Sequence, residues 1–374
     1  MLPRVRHPGR GSSIPKCFKT KHEDSSKRFL STKKEPQKVI FSGIQPTGVP
    51  HLGNYLGALH QWVQLQNTSP PFTKLIYSLV DLHAITIRQN PSQLRKWRKE
   101  SLAILLAIGL DPSRSIIFHQ SDVSAHAELM WILSCQASTG YLGRMTQWKE
   151  KISNDKDGNE RLKLGLFSYP VLQAADVLVH QTTHVPVGHD QAQHLEFARE
   201  VASGFNHVYG AGILTPPETI ISPARRVMSL AKATSKMSKS DQNSKSRILL
   251  TDSGETIRAK VKSAVTDSVE GISYDPENRP GVANLIDIMF YSMGSEAGGS
   301  PQDLAREMEG MHLKVLKERT ADAVDKLVAP VRERYAVIIE DEKLLEEVAQ
   351  NGAEKARASA LQTMEKVRRA IGLA

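Results

Sequence analysis

Cysteine is nearly absent from this chain: two in 374 residues, Cys17 and Cys135. Cys17 lies in a basic N-terminal stretch that reads as separate from the rest. The body of the protein therefore holds one thiol, which excludes a disulfide within it and any zinc site built from several cysteines. Long apolar runs are also missing. Nothing approaches the roughly 20 consecutive apolar residues that a bilayer-spanning helix needs. The third scarcity is net charge outside the N-terminus. The formal charge is +9, but residues 1 to 36 hold ten Lys/Arg against three Asp/Glu, so seven of those charges sit there and about +2 is left. Basicity of the whole chain is then no argument for nucleic acid, and any RNA contact must rest on local patches.

The first 36 residues are rich in Arg, Lys and Ser and precede the first strand-like run. They lack the apolar core of a secretory signal and read instead as a mitochondrial presequence. Glu23 and Asp24 interrupt the pattern, and cleavage is expected near Arg28-Phe29-Leu30. A basic tail without a targeting role would have a similar composition.

Two short segments carry the chemistry. The first is Ser42-Gly43-Ile44-Gln45-Pro46-Thr47-Gly48, running on to His51-Leu52-Gly53-Asn54. It follows Lys38-Val39-Ile40-Phe41, a β-branched and aromatic run of the kind that forms a buried strand. Gly43, Pro46, Thr47 and Gly48 supply turn chemistry. Leu52, Leu56, Leu59 and Val63 then recur at helical spacing. A strand, a glycine-containing loop and a helix start present backbone N–H groups, which suit a phosphate. Gly53 lets a nucleotide base lie against the backbone, and His51 and Asn54 can donate to phosphate and ribose oxygens. An ordinary strand-to-helix junction would use similar glycines.

The second segment is Lys236-Met237-Ser238-Lys239-Ser240, inside residues 231 to 246. That stretch has no apolar period and predicts an exposed, mobile loop. Lysines on either side of Ser238 could close over a triphosphate and neutralise a departing pyrophosphate. Donors of that type are worth roughly 3–4 kcal/mol each in a transition state.

Between the two segments, apolar runs alternate with helical patterns. Leu75 to Val80 and Ser115 to Phe118 read as buried strands. Asn90-Pro91-Ser92-Gln93 reads as a capped helix start with proline in the first turn and Gln93 closing a capping box. Leu94, Trp97, Ile104 and Ile108 would form that helix's buried face. The alternation predicts an α/β fold with a Rossmann-like parallel sheet and ligands at the carboxyl ends of its strands, where His51, Asp81 and His83 fall. Tyr169, Gln173 and Asp176, four and three apart, share one helix face, with Pro170 in its first turn. Such a stripe can equally be a helix's wet side. Val185-Pro186-Val187-Gly188-His189-Asp190-Gln191 reads as a strand, a turn and a helix start. From Gly254 onward helical patterns dominate. The resulting division is a presequence over 1–36, an α/β domain over 37–230, a loop and linker over 231–253, and a helical region over 254–374. The last helix of that region is a candidate to pack back on the α/β domain.

In this order and wording the two segments resemble the signatures of class I aminoacyl-tRNA synthetases, and most closely the tryptophanyl family of mitochondrial type. The resemblance covers nearly everything from about Lys38 to the C-terminus. It implies that Asp176 accepts the substrate's indole N–H, that Phe41, Val185 and Val187 line the indole pocket with Tyr169 and Gln173, and that Gln191 lies against the amino acid. It implies ATP contacts from Gln45, Pro46, Thr47, Gly53, Asn54, Gly188, His189, Asp190 and the backbone near Val227. It adds Lys236, Met237, Ser238, Lys239 and Ser240 of the second segment. His51, Lys151, Lys236, Ser238 and Lys239 would serve catalysis, Lys151 by reaching the phosphates. Gln173 stands where bacterial relatives often have methionine, and His189 where a glutamate is common.

The activity so implied joins L-tryptophan to tRNA(Trp) through an adenylate in the mitochondrial matrix. ATP would be a substrate, Mg2+ would travel with its phosphates and no protein metal ligand is assigned. A catalytic domain over 37–230, an anticodon-binding region over 254–374 and a homodimer are implied by the resemblance alone. A tyrosyl enzyme shares the Tyr/Gln/Asp helix, but the wording of the two βα segments argues against it. A silent paralogue that keeps the fold to bind RNA is disfavoured by intact His51, Gly53, Lys236 and Lys239.

Overall fold

The computed structural model describes residues 37–146, 148–149, 163–187, 191–221, 226–239 and 241–374. Its centre is a sheet of five parallel strands in the order β3-β2-β1-β4-β5. They are β1 (Val39–Ile44), β2 (Lys74–Leu79), β3 (Ile116–His119), β4 (His184–Val187) and β5 (Glu218–Ile221). This is a doubly wound, Rossmann-like α/β fold, as the strand–helix alternation predicts. The order reverses between β1 and β4, so a crevice opens at the carboxyl ends of those two strands.

Side chains of the strands alternate between two apolar layers, as the period of two requires. On one face Ile40, Leu75, Tyr77 and Ile117 join a core with Leu52, Trp62 and Ile104. On the other Val39, Phe41, Ile76 and Phe118 pack with Leu129, Val171 and Phe205. Burial on both faces explains why the strands read as near-continuous apolar runs. In the first layer Tyr77 stacks on Trp62 with ring centroids 4.7 Å apart, and its hydroxyl donates to the Trp62 carbonyl at 3.1 Å.

The first helical run after β1 is continuous but not uniform. It starts as α1 (Leu52–Asn54), widens into a π-helical turn over Tyr55–Leu59, and resumes as α2 (His60–Thr68). After β2 comes α3 (Asp81–Ala84), then α4 (Pro91–Ala107). Asn90 caps α4 by accepting from the Ser92 and Gln93 amides, and Pro91 occupies its first turn. The cap is thus Asn90 alone, without the reciprocal bond expected from Gln93. Leu94 and Trp97 are only half-buried, whereas Leu102 to Leu105 are buried on every side. Next are α5 (Ala125–Ser134), α6 (Thr139–Arg144), α7 (Leu164–Phe167), α8 (Tyr169–Leu178) and α9 (Ala192–Tyr209).

The helices from Gly254 are α10 (Gly254–Lys262), α11 (Pro280–Met293), α12 (Pro301–Glu307), α13 (Leu313–Ile338) and α14 (Glu342–Ile371). Residues 37 to 374 form one compact unit. The first apolar layer runs without a break from Ile40 and Trp62 through Ile248 and Ile257 to Val324 and Leu345. Helix α14 adds Leu345 and Val348 to one layer and Ala356, Ala360 and Met364 to the other. It lies against the edge strand β3 and covers an edge that would otherwise offer unpaired backbone groups. The approach is closest at Gly352, where a Cβ would collide with the Ile117 carbonyl oxygen. Only glycine fits that crossing. Among the described residues no helix is long and apolar enough to cross a membrane.

Candidate active site

A cavity of about 670 Å³ occupies the crevice between the ends of β1 and β4. Phe41 and Gln45 reach it from β1 and the loop beyond, Val185 and Pro186 from β4. Tyr169, Gln173 and Asp176 form one wall, all from α8, where the four-and-three spacing puts them on one face. His51, Gly53 and Asn54 form another, with Gln191, Val227, Lys236 and Met237 closing the remainder. Pro46, Thr47, Ser238 and Lys239 lie outside the lining. Lys151, Gly188, His189, Asp190 and Ser240, and the side chain of Val187, fall outside the described residues.

His51 and Asn54 cap the start of α1 reciprocally. The His51 ring accepts from the Asn54 amide at 3.2 Å through Nδ1, and Asn54 Oδ1 accepts from the His51 amide at 3.2 Å. Nδ1 is thereby an acceptor, so the proton sits on Nε2 and remains available as a donor. Burial, then the charges of Lys239, Arg247 and Lys236, lower the His51 pKa to about 3, so the ring is neutral at physiological pH. Gly53 is tightly enclosed: a Cβ would meet the His51 ring at 3.1 Å, so the ring would have to give, and Val227 at 3.5 Å.

The lysine-rich segment is more firmly tied than a mobile loop. The Met237 amide donates to the Val227 carbonyl at 3.1 Å and the Ser229 amide to the Ser235 carbonyl at 2.9 Å, making a short ribbon. Met237 is buried. Asn284 of α11 grips the ribbon at Met228, accepting from its amide at 2.9 Å and donating to its carbonyl at 3.1 Å. Downstream, the Leu52 amide donates to Ile248 and the Leu250 amide to Pro50, which fastens the segment to the first loop. Lys239 Nζ donates to the Gly48 carbonyl at 2.8 Å and lies 3.4 Å from the Thr47 hydroxyl. Burial lowers its pKa to about 8. Lys236 is exposed at the cavity's edge.

Asp176 is 2% exposed. A carboxylate so buried needs donors, and the chain itself supplies three. His83 Nε2 stands 2.9 Å from Oδ2, His126 Nδ1 2.7 Å from Oδ1 and Gln120 Nε2 2.6 Å from Oδ1. Burial pushes the Asp176 pKa up, but the bonds from His126 and His83 and their charge more than offset it and hold the group at about 2. Sequence reasoning did not find this set. His83 falls at a strand's carboxyl end in the sequence reading, and Gln120, one residue beyond β3, carries the same positional signal; His126, inside α5, gives no such signal.

The other α8 side chains are also engaged. The Tyr169 hydroxyl accepts from Gln45 Nε2 at 3.1 Å, and its ring centroid is 4.0 Å from that of His83. Gln173 accepts from His194 Nδ1 at 2.7 Å and donates to Gln191 Oε1 at 3.2 Å. The cavity thus has an apolar slot ending in a buried anion on one side, and glycine, a neutral imidazole and Lys236 on the other.

The family model for class I tRNA synthetases (W and Y) matches residues 33–329. The chain belongs to that family. A mitochondrial tryptophan–tRNA ligase of Schizosaccharomyces pombe is 44% identical over 351 residues, covering 90% of this chain and 96% of the relative. Among solved structures, a tryptophanyl-tRNA synthetase from Mycoplasma pneumoniae aligns with TM-score 0.80 at 30% identity, over 90% of this chain and 98% of that one. The Campylobacter jejuni enzyme, complexed with ADP and tryptophan, aligns with TM-score 0.75 at 33% identity, over 90% and 100%. A tyrosyl-tRNA synthetase from Aeropyrum pernix, 18% identical, shares the fold. As a class I synthetase, the chain has its cavity where this fold binds ligands, at the switch point of the sheet.

Proposed function

We propose that this chain is the tryptophan–tRNA ligase of mitochondria, acting in the matrix and working as a homodimer. The observation that carries the reading is that a buried anion, Asp176, the His51–Asn54 cap and the Lys236 ribbon all line the same cavity. The similarity to the Schizosaccharomyces pombe ligase supports both the substrate and the compartment.

In this reading the indole enters between Phe41, Val185 and Tyr169 and gives its N–H to Asp176. ATP lies along Gln45, Gly53, Asn54 and Val227. The carboxylate oxygen of tryptophan attacks the α-phosphate. The bond to the bridging oxygen breaks and pyrophosphate departs with that oxygen. Nε2–H of His51 and the ammonium groups of Lys236 and Lys239 stand to neutralise the charge that develops, the largest kind of contribution a preorganised site can make. Lys239 must first exchange the Gly48 carbonyl for a phosphate oxygen. A ribose hydroxyl at the tRNA 3′ end then attacks the acyl carbon and releases AMP. No side-chain nucleophile is needed, because positioning and charge carry the rate. Magnesium arrives on the triphosphate, held by phosphates and water; among the described residues no group of three His, Cys, Asp or Glu side chains is placed for a metal.

The test is Asp176→Ala. Sites that read a polar group by a buried hydrogen bond reject analogues lacking it by roughly 10⁴–10⁵-fold. The variant should lose most of the preference for tryptophan over phenylalanine, with the KM for ATP nearly unchanged. A preserved preference would assign the indole to another group, Gln173 or Gln191 first.

A further inference from the structure

An ionised carboxylate offers about four lone-pair sites. In Asp176, Oδ1 has both of its sites taken, by Gln120 and His126, while Oδ2 has one taken, by His83. One acceptor site remains, and it is on Oδ2. The cavity wall agrees with that assignment. Asp176 and His83 line the cavity, whereas Gln120 and His126 do not. The partners of Oδ1 are therefore behind the wall, and Oδ2 is the oxygen nearer the ligand.

Gln120 is fully buried and its amide orientation is fixed from both ends. Oε1 accepts from the Leu82 amide at 3.1 Å, which leaves Nε2 as the group facing Asp176. Leu82 belongs to the short helix α3 that carries His83, just past β2, and Gln120 stands just past the neighbouring β3. A second lacing holds the same two segments together. Asp81 accepts from the Ser121 amide at 2.9 Å and from its hydroxyl at 2.6 Å. Arg98 Nε of α4 stands 3.0 Å from Asp81, and its Nη2 donates to Asp122 at 3.2 Å. Residues 81 and 121 thus anchor the two strand ends, and residues 83 and 120, beside them, each present a donor to Asp176.

We propose that Gln120 is a positioning residue for amino-acid selection: held between Leu82 and Asp176, it fixes the carboxylate so that the last acceptor site, on Oδ2, meets the indole N–H. This rests on the reading that Asp176 receives the indole. Without Gln120 the carboxylate loses one of the two bonds on Oδ1 and can rotate about its terminal torsion, which is intrinsically broad. The indole bond then weakens while the slot for the rings stays intact.

The experiment compares tryptophan with β-(3-benzothienyl)alanine, in which sulfur replaces the indole N–H. The readout is the ratio of kcat/KM for the two amino acids in pyrophosphate exchange, measured for the full chain, Gln120→Met and Asp176→Ala. Gln120→Met preserves length and removes both hydrogen bonds. It should lower the ratio by at least about tenfold, the scale of one hydrogen bond to a charged group, with the KM for ATP unchanged. A purely structural role would slow both amino acids equally and leave the ratio intact, which would overturn the proposal. If Asp176→Ala itself kept the full ratio, the underlying reading of Asp176 would fail and the proposal with it. A ratio that collapses in Asp176→Ala but not in Gln120→Met would remove Gln120 alone. Should Gln120→Met fail to fold, Ser121→Ala loosens the lacing while keeping Gln120. It should lower the ratio in the same direction by a smaller factor, and an unchanged ratio would again overturn the proposal.

Discussion

Lys239 gives the sharpest pH prediction. Its role requires the ammonium form, yet burial lowers its pKa to about 8 in the free protein. A lowered lysine pKa means that the charged form is lost as pH rises through that value. The protonated fraction then falls from about nine-tenths near pH 7 to about one-tenth near pH 9, so kcat/KM for ATP, which reports free-enzyme groups, should drop about tenfold over that range. An unperturbed lysine, near 10.4, would keep almost all of its charge there. Bound triphosphate favours the ammonium, so kcat should hold to higher pH than kcat/KM. The assay is pyrophosphate exchange with ATP varied at saturating tryptophan. Lys239→Arg supplies the control, since guanidinium stays charged throughout. Its absolute rate can be lower because the fork does not reproduce an ammonium, but its alkaline limb should vanish. A wild-type profile flat to pH 9.5, or the same limb in Lys239→Arg, would refute the reasoning.

Gly352→Ala should destabilise the fold by about 1–3 kcal/mol, the usual cost of overpacking, because its Cβ collides with the Ile117 carbonyl; helix propensity alone predicts a gain of about 1 kcal/mol, so a raised urea midpoint would contradict the α14–β3 packing. Charge reversal at exposed Lys314 and Arg319 should weaken tRNA charging and spare adenylate formation, and equal losses in both steps would remove this face of α13 from RNA binding. Lys317 belongs to a different class, since its Nζ donates to the carbonyls of Lys262 and Ala264 at the end of α10; Lys317→Glu should therefore lower thermal stability as well as charging. Deleting residues 1 to 36 should leave exchange activity in vitro and abolish mitochondrial import, and a truncated chain that no longer folds would place those residues within the catalytic unit.

What could be read from the sequence was what depends on near neighbours. The helix bearing Tyr169, Gln173 and Asp176 follows from spacing and from a proline placed in its first turn, where it costs least. Strand β1 continues three residues past Phe41, through the Gly43 assigned to a turn, because pairing with β2 carries it to Ile44. Strands β2 to β4 follow from apolar runs to within a residue or two. Strand β5 did not, because Glu218 and Thr219 break the apolar pattern that an edge strand, paired on one side, does not need. The π-helical turn at Tyr55–Leu59 leaves the spacing of Leu52, Leu56, Leu59 and Val63 unchanged and has no signature of its own. The ribbon under Met237 is made by backbone bonds to Val227 and Ser229, which side-chain composition does not encode. The donors to Asp176 come from positions 93, 56 and 50 residues away, brought together only by the closing of the sheet.

The central claim is that this cavity activates tryptophan with ATP. The most direct measurement is exchange of labelled pyrophosphate into ATP by the purified chain, with tryptophan and tyrosine supplied separately. Exchange that depends on tryptophan and exceeds that with tyrosine by orders of magnitude is the predicted result. Exchange driven by tyrosine would contradict the reading of the pocket, and no exchange with either amino acid would contradict the assignment of His51, Lys236 and Lys239 to adenylate formation.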